Sequence, residues 1–179
     1  MARFGMAIDT SKCVGCMDCV VACKTENNVP EGYNRDWITN DMQGTFPTLH
    51  MEIRSERCNH CDNPPCVDCC PTGASHVQEF GKVVLVEHNL CIGCKACVAS
   101  CPYDARFIHP EGYADKCTFC SHRTEEGLDP ACVAVCPTHC MTFGDLDDPH
   151  STINRLLNAR KNHALLTDAG TKPRIFYLD

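Results

Sequence analysis

Residues 91–102 read CIGCKACVASCP and carry the most specific pattern in the chain. The first three cysteines are separated by two residues each, the fourth follows after three, and a proline comes next. Bacterial ferredoxins use this spacing to ligate [4Fe–4S] clusters, with the fourth cysteine reaching a different cluster from the first three. The stretch therefore predicts a ferredoxin-like fold that holds iron–sulfur clusters.

Three further groups of cysteines repeat this spacing with variations, and the first of them also shares the glycine (Gly15, Gly93). In the second group Cys69 competes with Cys70, but only Cys70 keeps the three-residue gap and the proline that follows. An internal repeat of this kind indicates duplicated structural units. In chain order the quartets are Cys13, Cys16, Cys19 and Cys23; Cys58, Cys61, Cys66 and Cys70; Cys91, Cys94, Cys97 and Cys101; and Cys117, Cys120, Cys132 and Cys136.

Cysteine accounts for 18 of the 179 residues, and the four quartets leave Cys69 and Cys140, which we expect to be packed or idle thiols. Zinc sites also use paired C-x2-C elements, but they do not explain the run that ends in C-x3-C-P. Disulfide scaffolds are typical of small secreted proteins, and the first residues show neither an apolar signal region nor a twin-arginine pair. We therefore expect four [4Fe–4S] clusters, whose ligation supplies much of the folding free energy.

The formal net charge of −7 argues against a nucleic-acid partner. No run of 18 apolar residues is present, so we expect no transmembrane segment in this chain. Glycine-rich nucleotide loops and the HExxH metal motif are also missing. The chain itself thus reads as an electron carrier without a catalytic residue, and, considered alone, as a cytoplasmic one.

The remaining segments allow coarse predictions of local structure. Lys12, Lys24, Lys95 and Lys116 either offset cluster charge or lie on the surface. His60 and His122 stand near cluster cysteines and either bond a sulfur and tune a potential or, as we expect, are exposed. The predicted elements are a strand over residues 4–9, a short helix over 16–27, a loop-rich connection over 25–57 that ends in a strand at 49–53, a hairpin over 76–87 turning at Gly81, a helix capped by Asp148 with Pro149 as its first residue, and a strand-like tail over 172–179 that docks on the protein's own body.

The order of several motifs around the quartets is similar to that of a known family. NPPCV, CPTGA, CPYDAR, KCTFC, PACV and FGDLDDP follow one another, and the likeness runs from MAIDTSKCVGC to PRIFYL. The chain resembles the four-cluster electron-transfer subunits of the dimethyl sulfoxide reductase (molybdopterin oxidoreductase) family, in particular those of polysulfide and thiosulfate reductases. The small subunit of arsenate reductases is similar but carries an insertion where this chain has only PYDARFIHPEGYADK.

The resemblance implies an α+β fold of two interleaved ferredoxin-like modules. One module comprises residues 1–24 plus 102–145 and the other residues 58–101, with 25–57 as the connection and 146–179 as a C-terminal helix and tail. The ligands implied by the family are Cys13, Cys16, Cys19 and Cys136 for cluster 1; Cys117, Cys120, Cys132 and Cys23 for cluster 2; Cys58, Cys61, Cys66 and Cys101 for cluster 3; and Cys91, Cys94, Cys97 and Cys70 for cluster 4.

The resemblance also implies partners. A molybdopterin-containing catalytic subunit would face the module of the first and fourth quartets and receive the electrons, and an integral membrane subunit that oxidises quinol would supply them next to cluster 4. The complex would lie on the cytoplasmic membrane, on its periplasmic side through co-export with the catalytic partner. Two alternatives stay open: the same role in a complex that acts on arsenate, selenite, tetrathionate or formate, and a free soluble polyferredoxin in the cytoplasm.

Overall fold

A computed structural model describes residues 2–178 and shows a mixed α+β fold. The strands are β1 (Phe4–Asp9), β2 (Asp36–Thr45), β3 (Thr48–Arg57), β4 (Ser75–Val77), β5 (Val84–Val86), β6 (Phe107–Ile108), β7 (Ala114–Asp115), β8 (Met141–Asp145), β9 (Asn162–His163) and β10 (Ile175–Leu178). The helices are α1 (Asp18–Glu26), α2 (Pro65–Asp68), α3 (Ala96–Ala99), α4 (Ser121–Thr124), α5 (Ala131–Ala134) and α6 (Thr152–Ala159).

A four-stranded sheet with the order β8–β1–β10–β9 joins the two ends of the chain. β1 runs antiparallel to β8 and parallel to β10, with Met6 opposite Ile175. Met6, Ile8 and Ile175 have no exposed surface, so this apolar run forms the centre of a small core. The sheet confirms the predicted strand over residues 4–9 and the prediction that the C-terminal tail docks on the protein's own body.

Helix α6 follows β8 but begins later than the sequence predicted. Its N-cap is Ser151, whose hydroxyl accepts a hydrogen bond from the Asn154 amide at 3.4 Å. The prediction of Asp148 as N-cap was wrong, because the Asp148 carboxylate instead closes a turn by accepting from the His150 amide at 2.9 Å. Ile153 on this helix is fully buried with Ala7 and Leu178, which fastens the helix to the sheet.

Strands β2 and β3 form a long hairpin in the segment that the sequence predicted to be loop-rich. They pair from Asp36 opposite Arg57 at the base to Thr45 opposite Thr48 at the tip. The loop prediction was therefore wrong, although the strand predicted at 49–53 is confirmed and lies within β3. The base is buried and the tip is exposed, with Phe46 retaining 88% of its accessible surface.

The loops before α1 and α3 have the same backbone shape. Gly15 and Gly93 adopt φ of 67° and 64°, and Met17 and Lys95, two residues later, adopt φ of 66° and 65°. Left-handed residues at two positions turn the chain sharply enough for cysteines two residues apart to face one space. The sequence repeat is thus a repeat of backbone geometry.

Two short hairpins complete the framework around the cysteines. β4 pairs with β5 across a turn at Gly81, as the sequence predicted. β6 pairs with β7 to form the second hairpin. Its turn lies close against the loop of the third quartet: a Cβ at Gly93 would be only 2.3 Å from the Gly112 carbonyl oxygen. Residues 107–115 therefore pack beside the second and third quartets, although the sequence grouped them with the first module.

Candidate iron–sulfur cluster sites

Three cavities are each lined by four or more cysteines drawn from two quartets. Cys13, Cys16, Cys19 and Cys136 line one cavity, together with Cys140. Cys23, Cys117, Cys120 and Cys132 line a second. Cys70, Cys91, Cys94 and Cys97 line a third. We number these thiol groups 1, 2 and 4, following the numbering of the clusters expected from the resemblance.

The remaining quartet cysteines also lie together and form thiol group 3: Cys58, Cys61, Cys66 and Cys101. Burial, together with the negative charges that the other three members carry when ionised, raises the pKa of the Cys61 thiol to about 11. Ionised thiols influence one another in this way only at short range. The structure thus brings the sixteen quartet cysteines together in four groups of four; that these groups are the ligand sets stays a prediction.

The surroundings of the thiol groups suit an anionic cofactor. Buried hydrogen-bond donors without partners, Arg57 Nε and both Arg106 Nε and Nη1, lie beside the groups. Such donors are costly unless they face an anion, and a thiolate-ligated cluster is an anion.

Backbone amides point at several of the sulfurs. The amides of Ser75, Ala114 and Phe119 donate to the sulfurs of Cys70, Cys91 and Cys117 at 3.3, 3.3 and 3.4 Å. A donor directed at sulfur stabilises its negative charge, which favours the thiolate that iron requires. Strands β4 and β7 and the turn after Cys117 therefore supply part of the electrostatic environment.

Arg57 lies between groups 1 and 2. Its side chain is fully buried, and its Nη1 donates to the Cys132 sulfur of group 2 at 2.9 Å. Its Nη2 donates to the Ser55 hydroxyl, which lies 3.6 Å from the Cys19 sulfur of group 1. The negative charges of Cys132, Asp36, Cys117 and Cys19 hold the pKa of Arg57 above its ordinary value despite its burial, so the guanidinium is charged.

Arg106 occupies the corresponding position between groups 3 and 4. It is 4% exposed, and its Nη2 donates to the Cys66 sulfur of group 3 and to the Ser75 hydroxyl, both at 2.9 Å. Ser75 in turn donates its amide to Cys70 of group 4. Although desolvation opposes it, the neighbouring charges of Cys66, Cys58 and Cys97 raise the pKa of Arg106.

Lys116 lies between groups 2 and 3. It is 1% exposed and donates to the backbone carbonyls of Val84 and Cys117. Desolvation, together with the positive charge of Arg106, holds the pKa of the ammonium below its ordinary value, while the ionised thiols of Cys58 and Cys66 in group 3 and of Cys117 in group 2 oppose that effect. Of the four lysines singled out in the sequence, this is the one that belongs to the cluster environment; Lys12 and Lys95 are exposed, and Lys24 donates to the Pro30 and Tyr33 carbonyls.

His60 and Phe119 form a second contact between groups 2 and 3. The prediction that His60 is exposed was wrong: it has no exposed surface and stacks on Phe119 with ring centroids 3.8 Å apart. Its Nδ1 accepts from the Val84 amide at 3.1 Å, and burial beside Lys116 holds its pKa well below the ordinary value, so the ring is neutral. His122 is exposed as predicted and lies 2.7 Å from the Glu26 carboxylate.

The two cysteines outside the quartets differ in their surroundings. The Cys140 sulfur is buried 3.4 Å from the Cys136 sulfur at the wall of the group 1 cavity. The Cys69 sulfur lies 3.3 Å from the Ser100 hydroxyl and does not line the group 4 cavity. Both are packed thiols, as the sequence predicted.

Exposure of the cysteines varies along the series of groups. Cys16 of group 1 and Cys94 of group 4 are exposed, whereas all four members of group 2 are buried and those of group 3 are buried or half-buried. The contacts of Arg57, Lys116 and Arg106 order the groups as 1, 2, 3 and 4. The two ends of this series therefore reach the surface, and its middle is shielded.

Sequence reasoning missed Arg57 and Arg106 as members of the site. Arg57 is 75 residues from the cysteine that it contacts and Arg106 is 40 residues away. Arg106 stands in the CPYDAR motif, five residues after Cys101. That motif was the one available signal for it, and the signal for Arg57 was its position directly before Cys58.

Comparisons with known proteins agree with this chemistry. Residues 12–75 and 49–146 each match a 4Fe-4S dicluster domain. Two dicluster domains account for four [4Fe–4S] clusters, the cofactors that the cysteine pattern predicted. Within residues 2–178, no helix is both long enough and apolar enough to cross a membrane.

Named relatives cover nearly the whole chain. Protein NrfC of Escherichia coli K12 is 46% identical over 177 residues, covering 97% of this chain and 79% of its own length. The B component of tetrathionate reductase from Salmonella typhimurium is 43% identical over 98% of this chain and 72% of its own length. The B component of polysulfide reductase from Wolinella succinogenes is 42% identical over 97% of this chain and 93% of its own length. The chain belongs to the family of four-cluster [4Fe–4S] electron-transfer subunits of the dimethyl sulfoxide reductase type.

Proposed function

We propose that the chain conducts electrons from a quinol-oxidising membrane subunit to a molybdopterin-containing catalytic subunit. The observation that carries this proposal is the order of the thiol groups, since groups 1 and 4 reach the surface while group 2 is buried. A carrier between two fixed partners needs an accessible cluster at each end and protected clusters between them. The chain's own residues bind and shield the clusters, and the catalytic step lies in the partner.

The ligand sets of this proposal are thiol groups 1 to 4 as defined above. They form two interleaved modules, one holding clusters 1 and 2 and the other clusters 3 and 4. Support comes from the cavities, each lined by three cysteines of one quartet and the fourth cysteine of another. That arrangement follows the ferredoxin rule in which the fourth cysteine serves the neighbouring cluster.

The catalytic partner in this proposal is a reductase of the polysulfide or thiosulfate type. The Wolinella relative, 42% identical over 97% of this chain, is named for polysulfide reductase. We also propose that the complex lies on the periplasmic side of the membrane, exported with its catalytic subunit.

The metal content of the native complex tests the partner. The complex would be purified without oxygen through a tag on this chain, and its iron, molybdenum and tungsten would be measured. We expect about sixteen irons from four cubanes in this chain, together with molybdenum in a near one-to-one ratio to it. Iron alone, on a chain that migrates as a monomer, would replace the proposal with a free polyferredoxin.

Electron entry through group 4 is tested with the variant Cys94→Ser. We expect reduction of polysulfide by quinol to fall at least tenfold, while reduction driven by a small dye that reaches the catalytic subunit directly remains. Cys69→Ser is the matched control, because Cys69 neighbours a proposed ligand but does not line the cavity. Equal loss in both variants, or loss with both electron donors, would contradict the proposed route.

A further inference from the structure

Three buried cations alternate with the four thiol groups. Arg57 contacts Cys132 of group 2 and reaches Cys19 of group 1 through Ser55. Arg106 contacts Cys66 of group 3 and reaches Cys70 of group 4 through Ser75. Both arginines thus use the same device, a guanidinium that donates to one sulfur and to a serine that contacts the next group.

The third cation occupies the junction between the two modules. The Lys116 ammonium is fixed by the carbonyls of Val84 and Cys117. Cys117 belongs to group 2, and Val84 donates its amide to His60, which stands between Cys58 and Cys61 of group 3. All three cations are at most 4% exposed, so water does little to screen their charge.

The internal repeat explains this alternation only in part. Arg57 and Lys116 each stand directly before the first cysteine of their quartet, whereas Arg106 follows the last cysteine of the third quartet by five residues. Lys12 also stands directly before a quartet, but its side chain is 58% exposed. The position in the repeat therefore does not by itself place a positive charge between two groups.

We propose that Arg57, Lys116 and Arg106 form a ladder of buried cations, one in each gap between successive clusters, and that each cation raises the reduction potentials of the two clusters beside it. The reason is electrostatic: reduction adds one negative charge to a cluster, and a fixed positive charge nearby favours that state. Each electron transfer moves one electron from a reduced cluster to an oxidised neighbour past one such charge. The inference rests on the proposed ligand sets.

The first position of the ladder differs from the others because a carboxylate accompanies it. Asp36 is 2% exposed and lies 3.9 Å from Arg57 Nη2. Burial raises the pKa of this carboxyl, and the charge of Arg57 opposes that rise. As a carboxylate it offsets part of the arginine charge, so we expect the effect of Arg57 on its two clusters to be smaller than the effects of Lys116 and Arg106.

The test is a redox titration of the iron-loaded chain, followed by electron paramagnetic resonance, for Arg57→Met, Lys116→Met and Arg106→Met. In the Lys116 and Arg106 variants we expect the ratio of oxidised to reduced form to rise at least tenfold for two of the four clusters. For a one-electron couple this lowers the reduction potential by about 59 mV. The Arg57 variant should shift two clusters by a smaller factor. For the other two clusters, the ratio of oxidised to reduced form should stay within about threefold of the parent value in every variant.

Overlap among the shifted clusters makes the test independent of assigning each signal. The Arg57 and Lys116 variants should share one shifted cluster, the Lys116 and Arg106 variants should share another, and the Arg57 and Arg106 variants should share none. A shift of all four clusters, of a single cluster or of none would overturn the ladder. Four intact clusters with unshifted potentials would refute this inference alone, whereas fewer than four clusters in the parent chain would refute the ligand sets.

Controls separate charge from packing. Arg174→Met also removes a buried arginine, but its nearest cysteine charges, Cys58 and Cys61, both belong to group 3, so it should shift one cluster at most. The variants Arg57→Lys, Lys116→Arg and Arg106→Lys keep the charge. In them the ratio of oxidised to reduced form should stay within about threefold of the parent value at each cluster. Equal shifts of potential in the charge-conserving and methionine variants would overturn the proposal. If a methionine variant fails to retain its iron, the glutamine variant at the same position takes its place.

Discussion

Two glycines that the sequence makes equivalent should respond differently to the same substitution. Gly15 and Gly93 occupy the same position in the first and third quartets and have φ of 67° and 64°. An alanine at either position would have to adopt this left-handed backbone, which costs about 1–2 kcal/mol. That part of the penalty is common to Gly15→Ala and Gly93→Ala, so their difference reports on the surroundings.

The surroundings differ in what the new methyl group would meet. At Gly15 the nearest atom is Cγ2 of Ile53 at 3.3 Å, which a side-chain adjustment can relieve. At Gly93 the nearest atom is the Gly112 carbonyl oxygen, at 2.3 Å. This carbonyl belongs to a turn that is followed by Ala114, whose backbone amide donates to the Cys91 sulfur. Forcing backbone apart in a packed region costs about 1–3 kcal/mol more. We therefore expect Gly93→Ala to destabilise its cluster site by that additional amount.

Iron release under anaerobic challenge with a chelator measures the difference. Gly93→Ala should lose about four of roughly sixteen irons in an early phase at least about five times faster than Gly15→Ala, and the resonance signal that disappears should be that of cluster 4. The parent chain should show no early phase. If Gly15→Ala released iron as fast as Gly93→Ala, the packing of the 107–115 hairpin against the third quartet would not be what stabilises the site.

Three further outcomes follow from the structure. Cys136→Ser should alter the resonance signal of cluster 1, whereas loss of the cluster 2 signal instead would refute the proposed ligand sets. Ile153→Ala should lower the free energy of unfolding by about 2–5 kcal/mol, measured by denaturant titration of the iron-loaded chain, because Ile153 is fully buried between α6 and the sheet; a change below about 1 kcal/mol would contradict that packing. His60 stays neutral in the folded chain but is protonated below a pH of about 6.5 once unfolded. Stability should therefore fall as pH drops below that value, by up to about 1.4 kcal/mol per pH unit, and His60→Gln should lose this part of the slope.

The sequence predicted the chemistry of the site better than its surroundings. Cysteine spacing is a local requirement of cluster ligation, so the quartets could be recognised without a structure, as could the apolar strand β1 and the turn at Gly81. Hairpin β2–β3 was missed because β2, DWITNDMQGT, has only weak alternation of apolar residues and ends in solvent. His60 was misjudged because its burial depends on Phe119, which is distant in sequence.

Buried cations are the hardest part to predict from sequence. An arginine or lysine is usually exposed, and Arg57 stands only three residues from Arg54, which pairs with Glu52 and Glu56 on the outer part of the hairpin. The adjacent Cys58 is the one feature of the sequence that sets Arg57 apart. Only the folded chain, which brings β3 beside Cys132, reveals that the two arginines have different environments.

The sheet that joins the two ends of the chain has a consequence for the order of assembly. Strand β1 pairs with β8 and β10, so it has no sheet partner until residues 141–178 have been made. The proposed ligands of clusters 3 and 4 all lie between Cys58 and Cys101, whereas cluster 1 also needs Cys136 and cluster 2 joins Cys23 to Cys132. Because synthesis proceeds from the N-terminus, the inner module can be completed while the first cysteines of the chain are still waiting for their partners, and the outer module closes around it last.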